Sequence, residues 1–190
     1  MSAWLANGLL PYYIRICGPF DEGLPQLRLV TRSGGRMAEL DEIYNTRILE
    51  LAGAMTHNER LAKPDAMATA QSKLCGSTIS VDLKMANGRV SDYGQTVKAC
   101  LLGQSAASVM AREIVGTTPA ELHKVATEMR AMLKENGPPP AGRWADLAVL
   151  EPVRSYKARH TSTLLVFDAV EKALAEIAVK ARAKDRAALS

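Results

Sequence analysis

A chain of 190 residues that is 47% hydrophobic can bury one sizeable core without disulfide staples, so a single globular domain with appendages is expected. A formal charge of +4, spread over dispersed positive residues, gives no basic face for nucleic acid. The three cysteines, Cys17, Cys75 and Cys100, are too few and too widely spaced for a disulfide framework, and they point to a reducing compartment. No apolar run approaches the ~20 residues that span a bilayer, and no basic segment precedes the apolar N-terminus as it would in a signal peptide. A cytoplasmic protein that binds neither membrane nor nucleic acid is expected.

Residues 1–36 carry Pro11, Pro19, Pro25 and several glycines, and no period of 2 or 3.6 persists. They read as an N-terminal extension, disordered or lying upstream of a natural start at Met37. From Met37, Leu40, Ile43, Tyr44, Ile48 and Leu51 recur at helical spacing, with Asp41 and Glu42 in the first turns and Gly53 at the end. Residues 58–72 are polar and Pro-broken and read as a loop.

A hairpin follows. From Gly76 to Lys84, Ile79, Val81 and Leu83 alternate with Ser80, Asp82 and Lys84. Asn87-Gly88 is the turn, because both residues accept positive φ, and residues 89–97 return as the partner strand. Behind Cys100, LLGQSAASVMAREIVG predicts a helix of small residues ending at Gly116. Thr118-Pro119-Ala120-Glu121 starts another, with Thr118 as cap, and Asn136-Gly137 and three prolines stop it. Residues 141–159 read as a connector with one short helical turn. A last helix starts at His160, carries Leu164, Leu165, Phe167, Val170, Leu174 and Ile177, and frays into a basic tail. The plan is α+β: a small antiparallel sheet of two to three strands with four or five helices on one face. The domain spans residues 37–180, between the extension 1–36 and the helical tail 181–190.

The chemistry-bearing residues fall at element ends. Cys75 precedes the first hairpin strand and Cys100 follows the second, and in a hairpin those two ends lie side by side. The helix behind Cys100 brings N–H groups and positive dipole to a thiol. If the last helix starts at the same edge, His160 completes a Cys2His trio able to ligate zinc or iron with one position open. Taken singly, each has a plainer role: free cysteine is often a core residue, and a histidine at a helix start often faces solvent. There is no CxxC and no HxxxH, and His57 and His123 read as surface residues.

At these residues the sequence resembles the U-type iron–sulfur cluster assembly scaffolds, the IscU/SufU/NifU N-terminal family, over about residues 38–180. Cys75-Gly76-Ser77 stands where the family has Cys-Gly-Asp. The Asn-Gly turn, Cys100 and the Ser/Ala-rich helix behind it follow the family pattern, and His160-Thr161 stands where many members have histidine and a third cysteine. Residues 141–159 resemble the insertion of the SufU-like branch. Ser77 and Thr161 depart from the family's aspartate and third cysteine.

The resemblance implies a scaffold or carrier, not an enzyme. Such a protein takes sulfur from a cysteine desulfurase, holds a transient [2Fe–2S] cluster or a zinc or ferrous ion at Cys75, Cys100 and His160, and passes its product to recipient apo-proteins or cluster carriers. Cys100 is then the expected sulfur acceptor, and Arg159 a candidate to offset thiolate charge. Two other readings stay open: a sulfurtransferase whose Cys100 is tuned by zinc, and a metal-free interaction module that keeps the fold.

Overall fold

The computed structural model describes residues 45–73 and 75–188. The expected extension 1–36, Cys17, the start at Met37 and the first turns of the first helix lie outside the described residues. The elements run α1 (Thr46–Gly53), β1 (Ala66–Gln71), β2 (Thr78–Ala86), β3 (Arg89–Lys98), α2 (Leu101–Glu113), α3 (Pro119–Lys134), a 3₁₀ stretch (Gly142–Ser155) and α4 (Lys157–Ala188). The class is α+β, with a three-stranded antiparallel sheet in the order β1-β2-β3.

The β2–β3 hairpin forms as its pattern dictates. Asn87 and Gly88 both take positive φ, 52° and 71°, which matches the twist of the strands they join. Ile79, Val81 and Leu83 are fully buried on one face. Each contributes on the order of 2 kcal/mol by burial.

β1 is a strand where a loop was expected. Its register pairs Ala66 with Leu83 and Ala70 with Ile79, so its alanines join the inner face while Met67 and Gln71 stay exposed. An alternation written in alanine is too weakly apolar to stand out in the sequence. It is what the fold needs here, because α4 lies directly across β1 and β2.

The outer face carries one buried charge. Asp82 is fully buried and accepts from Arg60 through both Nε and Nη2 at 2.6 Å, and from the Leu61 backbone N–H at 3.0 Å. Opposite it on β3 is Gly94. A Cβ there would lie 2.4 Å from the Glu59 carbonyl oxygen, so only glycine lets segment 55–61 close over the sheet. The same segment is tied to β3 by Gln95, whose N–H donates to the His57 carbonyl.

The helices complete the inner layer. Asn45 caps α1 by accepting from the Ile48 N–H at 3.0 Å. Thr118 and Glu121 form the expected reciprocal cap of α3. The connector is not one short turn: it is 3₁₀ from Gly142 to Ser155 and buries Trp144, Leu147, Leu150 and Val153. α4 begins at Lys157, one turn earlier than expected, so Arg159 and His160 lie inside its first turn. Its 32 residues extend ~48 Å at ~1.5 Å per residue. Among the described residues no helix is long and apolar enough to cross a membrane.

Candidate functional site

Thr78 of β2 pairs with Lys98 of β3, so the chain just before β2 and just after β3 shares one end of the sheet. Cys75 and Cys100 lie in those two segments. The first turn of α4 packs against the same end, and Gly103 in α2 sets how closely. A Cβ on Gly103 would meet the Ser162 carbonyl oxygen at 2.9 Å, so the glycine allows α2 and α4 to approach backbone to side-chain stub.

Cys75 sits in the tight connection from β1 to β2. Ser72 N–H donates to the Ser77 carbonyl at 2.8 Å and Gly76 N–H to the Ser72 carbonyl at 3.0 Å, with Gly76 at φ 69°. The thiol is exposed and donates to Ser77 Oγ at 3.1 Å. Its pKa is pulled down to about 7. The cause is first the Ser72 hydroxyl, then the hydroxyl and N–H of Ser77, and lastly the positive charge of Arg159. Ser72 is only 1% exposed, and the Cys75 sulfur is the acceptor its buried hydroxyl serves once the thiol ionises.

Cys100 is the N-cap of α2 and is half-buried. Its thiol donates to Ser162 Oγ at 3.3 Å, and Ser162 in turn donates to the Arg159 carbonyl at 3.0 Å. The hydroxyl that meets Cys100 is therefore that of Ser162, and not of Thr161, which is exposed one position earlier. The helical period marks the difference. Ser162 is 1% exposed, whereas Thr161, a ~100° step back along the helix, is exposed. Ser72 and Ser162 are the site residues that sequence reasoning missed. A serine adjoining a strand or a helix start carries no signal of its own.

His160 is placed differently from the expected trio. It is 7% exposed, and its Nε2 lies 3.1 Å from both the Val153 and the Arg154 carbonyl oxygens. The Nε2 proton is donated to that pair, and the ring anchors α4 to the end of the 3₁₀ stretch. The connector, longer in regular structure than its sequence indicates, supplies the carbonyls that take the imidazole. Among the described residues no group of three His, Cys, Asp or Glu side chains is arranged to hold a metal ion. The structure thus gathers two thiols, three serine hydroxyls and one guanidinium at the start of α4. His57 sits edge-on to Tyr93 and His123 bonds Glu171, both on other elements.

Such a site can hold a soft metal or an anionic sulfur species through two thiolates. Neutral hydroxyls are weak ligands but good donors to sulfur.

No protein-family model matches the chain. The N-terminal NifU-like protein from Brucella abortus, described as nitrogen-fixing, has a crystal structure that aligns with a TM-score of 0.74 and 56% identity, covering 75% of this chain and 99% of that one. The iron–sulfur cluster assembly scaffold protein IscU of Thermotoga maritima is 24% identical over 136 residues, 71% of this chain and 94% of that protein. A putative cluster assembly scaffold for the SUF system from Fervidobacterium islandicum AW-1 shares the fold, with a TM-score of 0.65 at 17% identity, over 70% of this chain and 98% of that one.

Proposed function

The chain belongs to the family of U-type iron–sulfur cluster assembly scaffolds, the NifU-like N-terminal and IscU proteins, and on that premise we propose that it accepts sulfur from a cysteine desulfurase, holds a transient [2Fe–2S] cluster and hands it to recipient proteins. It is a scaffold or carrier and not an enzyme. The observation that carries the reading is the convergence of Cys75 and Cys100 on the first turn of α4, beside Arg159.

Cys75 is the better sulfur acceptor of the two, in place of the expected Cys100. It is exposed, its thiolate is populated near neutral pH, and Ser72, Ser77 and Arg159 stabilise negative charge on its sulfur. In the transfer, the Cys75 thiolate attacks the terminal sulfur of the desulfurase persulfide. The S–S bond of the donor breaks, the desulfurase cysteine leaves as thiolate, and the new persulfide on Cys75 is held by the same three groups. Cys100, in the segment that follows β3 at the same sheet end, would be the second thiolate for the iron. Zinc in place of the cluster would take the same two thiolates, and His160, with Nε2 donating to backbone carbonyls, keeps Nδ1 as the ring nitrogen that could ligate.

Iron, zinc and acid-labile sulfide in anaerobically purified wild type, Cys75→Ser and Cys100→Ser test this. Iron with sulfide in the wild type, lost in both variants, is expected, together with an added sulfur on Cys75 after incubation with desulfurase and cysteine. Zinc without sulfide would shift the reading to a sulfur acceptor alone. Absence of metal even after loading with iron and sulfide would leave an interaction module.

A further inference from the structure

β1 is an edge strand: β2 pairs with one side of it, and among the described residues no strand pairs with the other. The Ser72 N–H donates to the Ser77 carbonyl, which fixes the alternation behind it. Ala66, Ala68 and Ala70 turn their amides to β2, so Met67, Thr69 and Gln71 turn theirs outward. Such an edge is a template for a further strand. Two lysines of α4 stand on it. Lys172 Nζ donates to the outward Thr69 carbonyl at 3.3 Å, and Lys180 Nζ to the Asp65 carbonyl at 2.8 Å. Among the described residues Lys172 has no ion-pair partner, because Asp168 and Glu171 along the same groove are held by Arg130. Lys180 pairs with Glu176 at 2.6 Å and keeps 59% of its side chain exposed. Each lysine borders a groove in the seam between β1 and α4. One, of about 390 Å³, is lined by Ala70, Leu165 and Ala175 beside Lys172; the other, of about 230 Å³, by Ile177 and Ala181 beside Lys180.

We propose that the outer edge of β1 takes an extended acidic segment of a partner protein as a fourth strand, with two glutamates four residues apart set on Lys172 and Lys180. The spacing comes from both elements. The lysines are eight residues apart on α4, ~12 Å at ~1.5 Å per residue, and positions i and i+4 of a strand lie ~13 Å apart on one face. The apolar walls of the two grooves take the glutamate methylenes, and the carboxylates reach the ammoniums. An arriving strand replaces the Lys172 bond to Thr69 with its own backbone N–H, which releases the ammonium to a carboxylate. A second copy of this chain, paired edge to edge, would bring its own Lys172 and Lys180 to the same seam, like charge against like, and an acidic segment does not. The surface uses neither thiol and does not depend on the scaffold reading.

The test uses the full chain and a fluorescent eight-residue peptide of valine and threonine with glutamate at its second and sixth positions. Anisotropy should show binding that weakens with salt, and hydrogen exchange should slow at the Met67, Thr69 and Gln71 amides when the peptide is present. Both lysines are exposed, so their variants keep the fold. Lys172→Ala/Lys180→Ala should weaken binding about tenfold, the loss of two exposed ion pairs. A peptide with lysine at the same two positions should bind Lys172→Glu/Lys180→Glu and not the wild type. N-methylation of the peptide amides that face β1 should abolish binding. Failure of the acidic peptide to bind the wild type would overturn the proposal. So would unchanged or tighter binding in Lys172→Ala/Lys180→Ala, which would leave the lysines as guards of a bare edge. Binding indifferent to N-methylation would reduce the contact to charge attraction and overturn strand addition. Slow exchange of the three amides without peptide would overturn it as well, assigning the edge to a segment of the same chain if the protein sediments as a monomer and to a second copy if as a dimer. None of these outcomes bears on the scaffold reading, which the iron and sulfide content tests separately.

Discussion

The Cys100 thiol meets the Ser162 hydroxyl at 3.3 Å, across two helices whose residues are 62 positions apart in the chain. The same hydroxyl donates to the carbonyl of Arg159, whose charge reaches Cys75. One turn of α4 therefore serves both thiols, with Ser162 on one and Arg159 on the other. Changes on that turn should be felt at both sulfurs.

The reactivity of Cys75 is the most direct consequence. Its alkylation rate should follow a titration with a midpoint of about 7, falling as pH drops and the thiolate is lost. Ser72→Ala should move the midpoint up most, Ser77→Ala less, and Arg159→Gln least, in the order of the groups that depress it. A depressed thiol pKa also favours the fold. That contribution is present above the ordinary thiol range and is lost as pH falls through about 7. A wild-type midpoint in the ordinary thiol range, unmoved by these variants, would count against Cys75 as the sulfur acceptor. Rates of iodoacetamide labelling across pH, read by peptide mass, make the measurement.

The buried Asp82 is a stability prediction. Arg60→Ala would leave a fully buried carboxylate with the Leu61 N–H alone. Arg60 is itself 48% exposed, which weakens the pair through solvent screening, so the loss should be about 2 kcal/mol and not the larger cost of a wholly buried pair. Chemical denaturation of wild type, Arg60→Ala and the double variant Arg60→Ala/Asp82→Asn checks it. The second change should recover part of the loss, because it removes the stranded charge.

The fold was legible wherever a local rule and a tertiary need agree. The Asn87-Gly88 turn, the Thr118 cap and the apolar alternation of β2 each state their structure in a few residues. β1 escaped because its inward residues are alanines, chosen to fit under α4, and their burial is a property of the helix above them. The site was half legible. Cys75 and Cys100 follow from hairpin geometry, since the start of one strand must adjoin the end of the next. The surroundings of His160 were not legible, because its Nε2 meets carbonyls of a 3₁₀ stretch that the sequence hardly signals. The shift from Thr161 to Ser162 is one residue, a 100° turn of the helix.

His160 is expected to act in folding. His160→Ala removes a donor to the buried Val153 and part-buried Arg154 carbonyls and should cost about 1–2 kcal/mol while iron and sulfide content per folded chain stays at the wild-type level. His160→Gln keeps an amide donor and should recover part of the stability. A variant that keeps its melting temperature but loses its iron would make the imidazole a ligand. Thermal unfolding alongside metal analysis separates the two outcomes.

Gly103 links packing to function. In Gly103→Ala the new methyl would stand 2.9 Å from the Ser162 carbonyl oxygen and 2.9 Å from the Ala99 Cβ, tighter than contacts of this kind tolerate. Alanine is the better helix former by about 1 kcal/mol, but overpacking against backbone costs about 1–3 kcal/mol, so the net change should be destabilising. The backbone that must yield is the first turn of α4, and its displacement carries Ser162 away from Cys100 and Arg159 away from Cys75. Two effects should then appear together: weaker retention of iron and a higher pH midpoint for Cys75 alkylation. A control at Gly53, where an added methyl meets nothing within 4 Å, should leave both unchanged. Loss of stability in Gly103→Ala with the Cys75 midpoint unmoved would show that the two thiols are positioned independently.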